Sequence, residues 1–206
     1  MPKEDHEITL RLLNEIEQHG RSSQRLLSTR LGIAVGLTNA YVRRAVRKGW
    51  IKMSKAPARR YLYYLTPKGF YEKSRLTARY LESSFDFFRQ ARAECRAFYA
   101  DCERAGWRRV VLYGDSDLAE IAVLAAQEAD VALMGVVAPG NRRRRVAGQP
   151  VLETLPPAGT FDVVLITDIH APQAVYDRLA AHLPADRIRA PELLMVTPRP
   201  RTAETG

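Results

Sequence analysis

At 206 residues, 46% hydrophobic and 27% charged, the chain suits two compact domains, and no apolar run approaches the roughly 18 residues of a membrane span. Its net charge of +9 is segregated: residues 1–80 hold 17 Lys and Arg against 6 Asp and Glu, the remainder 15 against 17, so a polyanion such as double-stranded DNA is the partner expected of the first part and no membrane partner is expected. The charged opening MPKEDHE lacks an apolar signal region, which implies a cytoplasmic protein, and the two cysteines, seven apart without His at ligand spacing, indicate neither zinc nor a disulfide framework but two small buried residues on one helix face.

Ile8, Leu12 and Ile16 recur every four residues and Gly20 closes that segment, predicting an amphipathic first helix with a glycine stop. Ser22 or Ser23 then caps a second helix that turns Leu27 and Leu31 inward. Gly32, able to take φ > 0, permits a sharp corner that Ile33 fills. In the third helix Thr38, Val42, Ala45 and Val46 form the inward stripe, which leaves Gly36, Leu37, Asn39, Ala40, Arg43, Arg44 and Arg47 outward. GWIKMS and RRYLYYLT, split by KAPA, read as a hairpin wing with Lys52, Lys55, Arg59 and Arg60 toward its tip. These outward and wing residues, together with Ser23 and Gln24 at the start of the second helix, are the candidate DNA contacts, the third helix in the major groove and the wing on flanking phosphates.

From Leu10 to about Ala100 the chain resembles the MarR-type winged-helix regulators, particularly the short variety associated with bacterial exopolysaccharide gene clusters. SQRLLSTRLGI, VGLTNAYVRRAVRKGWIK, YLYYLTPKG and EKSRLTARYL carry the resemblance. It implies a dimeric transcription factor with Asn39 and Arg43 facing the groove.

Thr66 and Pro67 open a long helix that meets no further proline or turn signal before Gly106. Over residues 67–105 it would extend about 58 Å. Leu81, Phe85, Phe88, Cys95, Tyr99 and Cys102 form an apolar seam along it, widened by Phe87 and Phe98 and interrupted by Arg92. Such a seam pairs either with its copy in a second subunit or with the C-terminal domain of the same chain; homodimer pairing is preferred, since a palindromic site requires a two-fold protein.

Beyond Arg108 strands and helices alternate: RVVLYG, the helix SDLAEIAVLAAQEA, DVALMGVV, an edge strand PVLETL, FDVVLIT, the helix APQAVYDRLAAHL, and DRIRAPELL. The fold class is thus an α+β winged helix-turn-helix domain over residues 1–66, a long connecting helix over 67–106, and an α/β Rossmann-like domain over 107–197. The last has a small parallel sheet with order 3-2-1-4-5, and a disordered tail occupies 198–206. GVVAP and GQPVLETL resemble the Rossmann-like nucleotide-binding part of polysaccharide-biosynthesis enzymes. Ala138, where that pattern has an acid for a ribose hydroxyl, disfavours NAD, which leaves a nucleotide or nucleotide sugar as the small-molecule effector. Asp117 and Glu120 read as a capping pair for the first helix of this domain. The ligand candidates are Gly114, Asp115 and Ser116 after the first strand, Arg142 and Arg143 after the second, and Asp168 and His170 after the fourth, at the edge where such sheets bind. A DNA-binding regulator with a sensor domain and no catalytic residues is the leading reading. The alternatives are a nucleotide-sugar oxidoreductase with a DNA-binding appendage, or a regulator whose second domain only mediates assembly.

Overall fold

The computed structural model describes residues 3–56 and 60–198, and the chain divides into two units, one ending at Phe85 and one starting at Asp86. The first comprises α1 (Lys3–Gln18), β1 (Arg21–Ser22), α2 (Gln24–Leu31), α3 (Val35–Arg47), β2 (Ile51–Ala56), β3 (Arg60–Leu65) and the start of α4 (Pro67–Ala105). Leu10, Leu12, Leu13 and Ile16 of α1 meet Leu27 and Leu31 of α2 and Tyr41, Val42 and Ala45 of α3 in one core, with Ile8 and Ile33 packed at its margin. Ser23 is the N-cap of α2, accepting from Leu26 N–H at 3.2 Å, and Gly32 closes it in the left-handed region at φ 66°. One position of the expected inward stripe is corrected. Val46 is exposed and Tyr41 is buried instead, because the stripe through Thr38, Val42 and Ala45 widens on the side of residue 41.

The strands form one antiparallel sheet in the order β1-β3-β2, with Ile51 opposite Leu65 and Ala56 opposite Arg60. Gly20 does more than stop a helix. Its carbonyl accepts from Tyr63 N–H at 2.7 Å, and a Cβ there would stand 2.9 Å from the Tyr63 carbonyl oxygen, so the close approach of β1 to β3 requires glycine. Helix α4 spans the range expected, 39 residues, and Thr66 caps it through Gly69 N–H at 3.0 Å.

The second unit contains the end of α4, then β4 (Arg109–Tyr113), α5 (Asp117–Ala126), β5 (Ala132–Val137), β6 (Arg145–Val146), β7 (Gln149–Leu152), β8 (Val163–Ile166), α6 (Pro172–Ala180) and β9 (Ile188–Arg189). Its sheet runs β6-β7-β5-β4-β8-β9, so the five parallel strands keep the order 3-2-1-4-5. The sheet is nevertheless mixed rather than parallel. β6 pairs antiparallel with β7 across a two-residue turn whose residues, Ala147 at φ 45° and Gly148 at φ 85°, both take the positive φ that tight hairpins demand. Along β4, Val110 and Leu112 face one layer and Val111 and Tyr113 the other, as the two-residue period dictates.

The first of those layers corrects the seam. Cys95, Tyr99 and Cys102 are buried in the core of their own unit with α5 and the sheet, and the Tyr99 hydroxyl donates to the Ala122 carbonyl at 2.9 Å. These three side chains cover the α/β sheet and are not available to a second subunit. The same burial pushes both thiols up to about 12, so neither supplies a thiolate at neutral pH. Leu81, Phe85 and Phe88 remain exposed. Among the described residues no helix is long and apolar enough to cross a membrane.

Candidate nucleic-acid interface

Helix α3 presents Gly36, Leu37, Ala40, Arg43 and Arg47 to solvent, with Asn39 half-buried beside them. Val35 and Lys48, not anticipated from the sequence, lie exposed at its two ends; the helix limits, had they been known, would have added both. The helix starts at Ala34 without a side-chain cap. The first turn of a helix has N–H groups with no intrahelical acceptor, so those of Val35, Gly36 and Leu37 are open to an outside acceptor. The absence of a Cβ at Gly36, around which nothing lies within 4 Å, leaves that end sterically open.

Arg44 has a different role from its neighbours. Its guanidinium binds the Asp5 carboxylate twice, at 2.6 and 3.0 Å, and lies 4.5 Å from the centre of the Tyr41 ring, while the Tyr41 hydroxyl donates to the same carboxylate at 2.5 Å. The Arg44 hydrogen bond, then that of Tyr41, hold the Asp5 carboxyl below its ordinary range. Arg44 therefore fastens α3 to α1, and the outward cations are Arg43 and Arg47. Ser23 likewise spends its hydroxyl on the α2 cap. Gln24, the first residue of α2, is half-buried.

On the hairpin Lys52 is exposed in β2, facing Tyr64 across the pair. Lys55 and Arg60 belong to β2 and β3, and Arg59 lies outside the described residues.

In the second unit the edge expected to bind ligand is knitted together by its own groups. Gly114, at φ 113°, accepts from the Thr167 hydroxyl at 2.6 Å, and Ser116 both donates to the Thr167 carbonyl and caps α5 through Leu118 N–H at 3.2 Å. That cap belongs to Ser116 rather than to Asp117, which with Glu120 lies in the first turn. A Cβ on Gly114 would stand 2.3 Å from the Asp168 backbone nitrogen. The space that Gly114 opens is thus taken by Asp168, not left for a ligand. The Asp168 carboxylate accepts from His170 N–H at 2.7 Å and Ala171 N–H at 2.9 Å, leading into α6. Asp115 accepts from the Asn141 amide, and Asn141 in turn accepts from Arg143 N–H at 2.9 Å. Arg142 and Arg143 are exposed, the latter 3.9 Å from Glu120.

Residues 5–52 match the family model described as "Winged helix-turn-helix DNA-binding", so the segment from α1 into β2 is a winged helix-turn-helix domain. Among solved structures the chain is similar to the PcaV transcriptional regulator from Streptomyces coelicolor, at 25% identity over 48% of this chain and 74% of that one with a TM-score of 0.40. It is similar also to a MarR family transcriptional regulator from Silicibacter pomeroyi, at 21% identity, 39% of this chain, 54% of that chain and a TM-score of 0.34. A longer match, 90% of this chain and 70% of the other, is to PigF with SAH, at 12% identity and a TM-score of 0.32. The chain thus spans only about half the length of the Silicibacter regulator. No curated protein matches it.

Proposed function

We propose that this chain is a dimeric transcriptional regulator of the MarR type that reads duplex DNA through α3 and the β2–β3 hairpin and answers to a small-molecule effector held by its second unit. The observation that carries the reading is the outward face of α3: the exposed cations Arg43 and Arg47 on a helix whose open N-terminal turn suits a phosphate oxygen, beside an antiparallel hairpin, within a segment that matches a DNA-binding family model. The regulators that the chain resembles are associated with bacterial exopolysaccharide gene clusters.

The contrast between two adjacent arginines tests it. With an operator selected from a random duplex pool, Arg43→Ala is expected to lose about 1–3 kcal/mol of discrimination between operator and random duplex. Arg44→Ala should keep that discrimination but lower stability by about 1–2 kcal/mol, because the Asp5 carboxylate loses two hydrogen bonds and the Tyr41 ring loses the guanidinium lying over it. Fluorescence-anisotropy titrations and melting curves read the two effects apart. Equal loss of discrimination in both variants would contradict the assignment of roles.

The dimer reading now rests on Leu81, Phe85 and Phe88, which recur at intervals of four and three on α4 and are 45%, 58% and 40% exposed. Phe85→Glu places a charge in that stripe without touching either core. If the stripe joins two subunits, dimerisation weakens by about 2 kcal/mol or more and light scattering reports a smaller particle at unchanged helical content. A variant that stays fully dimeric places the subunit contact elsewhere.

A further inference from the structure

We infer that the second unit carries a binding site for a small monocarboxylate with an apolar body, at the edge of its sheet where the parallel strands begin, opposite the edge that the glycine turn marks. The inference deepens the effector reading and rests on it only for the consequence of binding, not for the site itself. A cavity of about 350 Å³ opens at this edge. Three adjacent strands deliver its polar lining: Arg109 is the first residue of β4, Asp162 immediately precedes β8, and Arg187 immediately precedes β9. Phe161 and the Leu183–Pro184 pair of the α6–β9 connection supply the apolar wall. Its volume falls at the small end of the range of roughly 300–1,000 Å³ usual for ligand sites, enough for a body of six or so carbons.

The charge balance selects the ligand. Asp162 is fully engaged: its carboxylate accepts from the Arg108 and Arg109 backbone N–H groups at 2.9 and 2.8 Å and from Arg109 Nη2 at 2.7 Å. These bonds, the Arg109 side chain first, hold it down at about 2, so it is ionised and neutralises Arg109 throughout the physiological range. Among the described residues Arg187 has no carboxylate partner at such short distance. It donates one N–H to the Asp162 backbone carbonyl at 2.9 Å and lies 5.1 Å from the centre of the Trp107 ring, while its nearest carboxylate, Asp186, stands at 3.8 Å and is largely solvent-exposed. One guanidinium at an apolar-walled cavity thus has as its counter-ion only a long ion pair to a largely exposed carboxylate. Its planar fork matches a carboxylate, and the wall excludes a ligand that is charged all over. The packed opposite edge, where Asp168 fills the place beside Gly114, removes the obvious competing site.

Hexanoate is the probe, titrated calorimetrically into the full-length protein, with acetate (no apolar body), hexanamide (no charge) and inorganic phosphate (charge alone) as controls. Saturable hexanoate binding is expected, about tenfold or more tighter than any control. Arg187→Gln, which removes the charge, and Leu183→Trp, which fills the cavity, should each reduce it about tenfold or more. No hexanoate binding, equal binding of hexanamide, or undiminished binding by a folded Leu183→Trp variant overturns the site; should Arg187→Gln fail to fold, the hexanamide control and Leu183→Trp still decide. Duplex affinity measured with and without hexanoate separates the two claims. Binding without a change in DNA affinity keeps the site and removes its effector role, whereas loss of DNA binding in the absence of any ligand counts against the regulator reading alone.

Discussion

Gly69→Ala is expected to unfold the first unit or to cost it at least about 3 kcal/mol. An alanine Cβ at this helical position would stand 1.9 Å from the Trp50 carbonyl oxygen and 2.9 Å from its carbon. That carbonyl cannot withdraw, because it accepts from Thr66 N–H at 3.0 Å and from the Thr66 hydroxyl at 3.1 Å, the same residue that caps α4. Trp50 itself is a core residue of the unit, so a shift of its backbone propagates to Leu27, Val42 and Ile51. Hydrogen exchange should accelerate over α1 to β3, and operator binding should vanish with it. The control is Gly36→Ala. Also helical but with nothing within 4 Å, it should hold or raise stability, by up to about 1 kcal/mol.

Gly114→Ala is the corresponding lesion in the second unit, with a loss expected at about 3 kcal/mol or more. Two penalties coincide. The backbone at φ 113° lies where side chains are rarely tolerated, and the added carbon would meet Asp168 N, Cα and Cβ at 2.3, 2.6 and 2.8 Å. Asp168 is held from both sides, its N–H donating to the Tyr113 carbonyl at 3.1 Å and its carboxylate accepting from His170 and Ala171. Accelerated exchange should appear in β4, β8 and α6, with α1 to β3 protected as before. A Gly114→Ala protein with wild-type melting and exchange would show that this contact is not close in solution.

The sequence made most legible what local chemistry dictates. The cap at Ser23, the left-handed turn at Gly32, the extent of α4 and the alternation that orders the five parallel strands all depend on near neighbours or on period. Contacts between distant residues were hidden. Arg44 reads as one more outward cation until Asp5, 39 residues earlier, is seen to hold it. β1 is two residues long and carries no alternation to detect. The apolar seam of α4 was visible, but period alone does not say what covers it: Cys95, Tyr99 and Cys102 face their own sheet, while Leu81, Phe85 and Phe88 face solvent. Gly114 reads as a ligand turn, yet it and Gly69 are points where two backbones touch. The cavity at Arg109 and Arg187 had no signal in the sequence, since strand order had to be known before the ends of β4, β8 and β9 could be brought together.

The central claim, that the first unit binds duplex DNA through a cationic helix and hairpin, is tested most directly by the salt dependence of duplex affinity for the full-length protein. Fluorescence anisotropy with the selected operator should give tight binding at low salt. Affinity should then fall at least about a hundredfold between about 50 and about 200 mM salt, as the release of counterions from about four phosphates requires. Absence of duplex binding at low salt, or an affinity indifferent to salt, would contradict the claim.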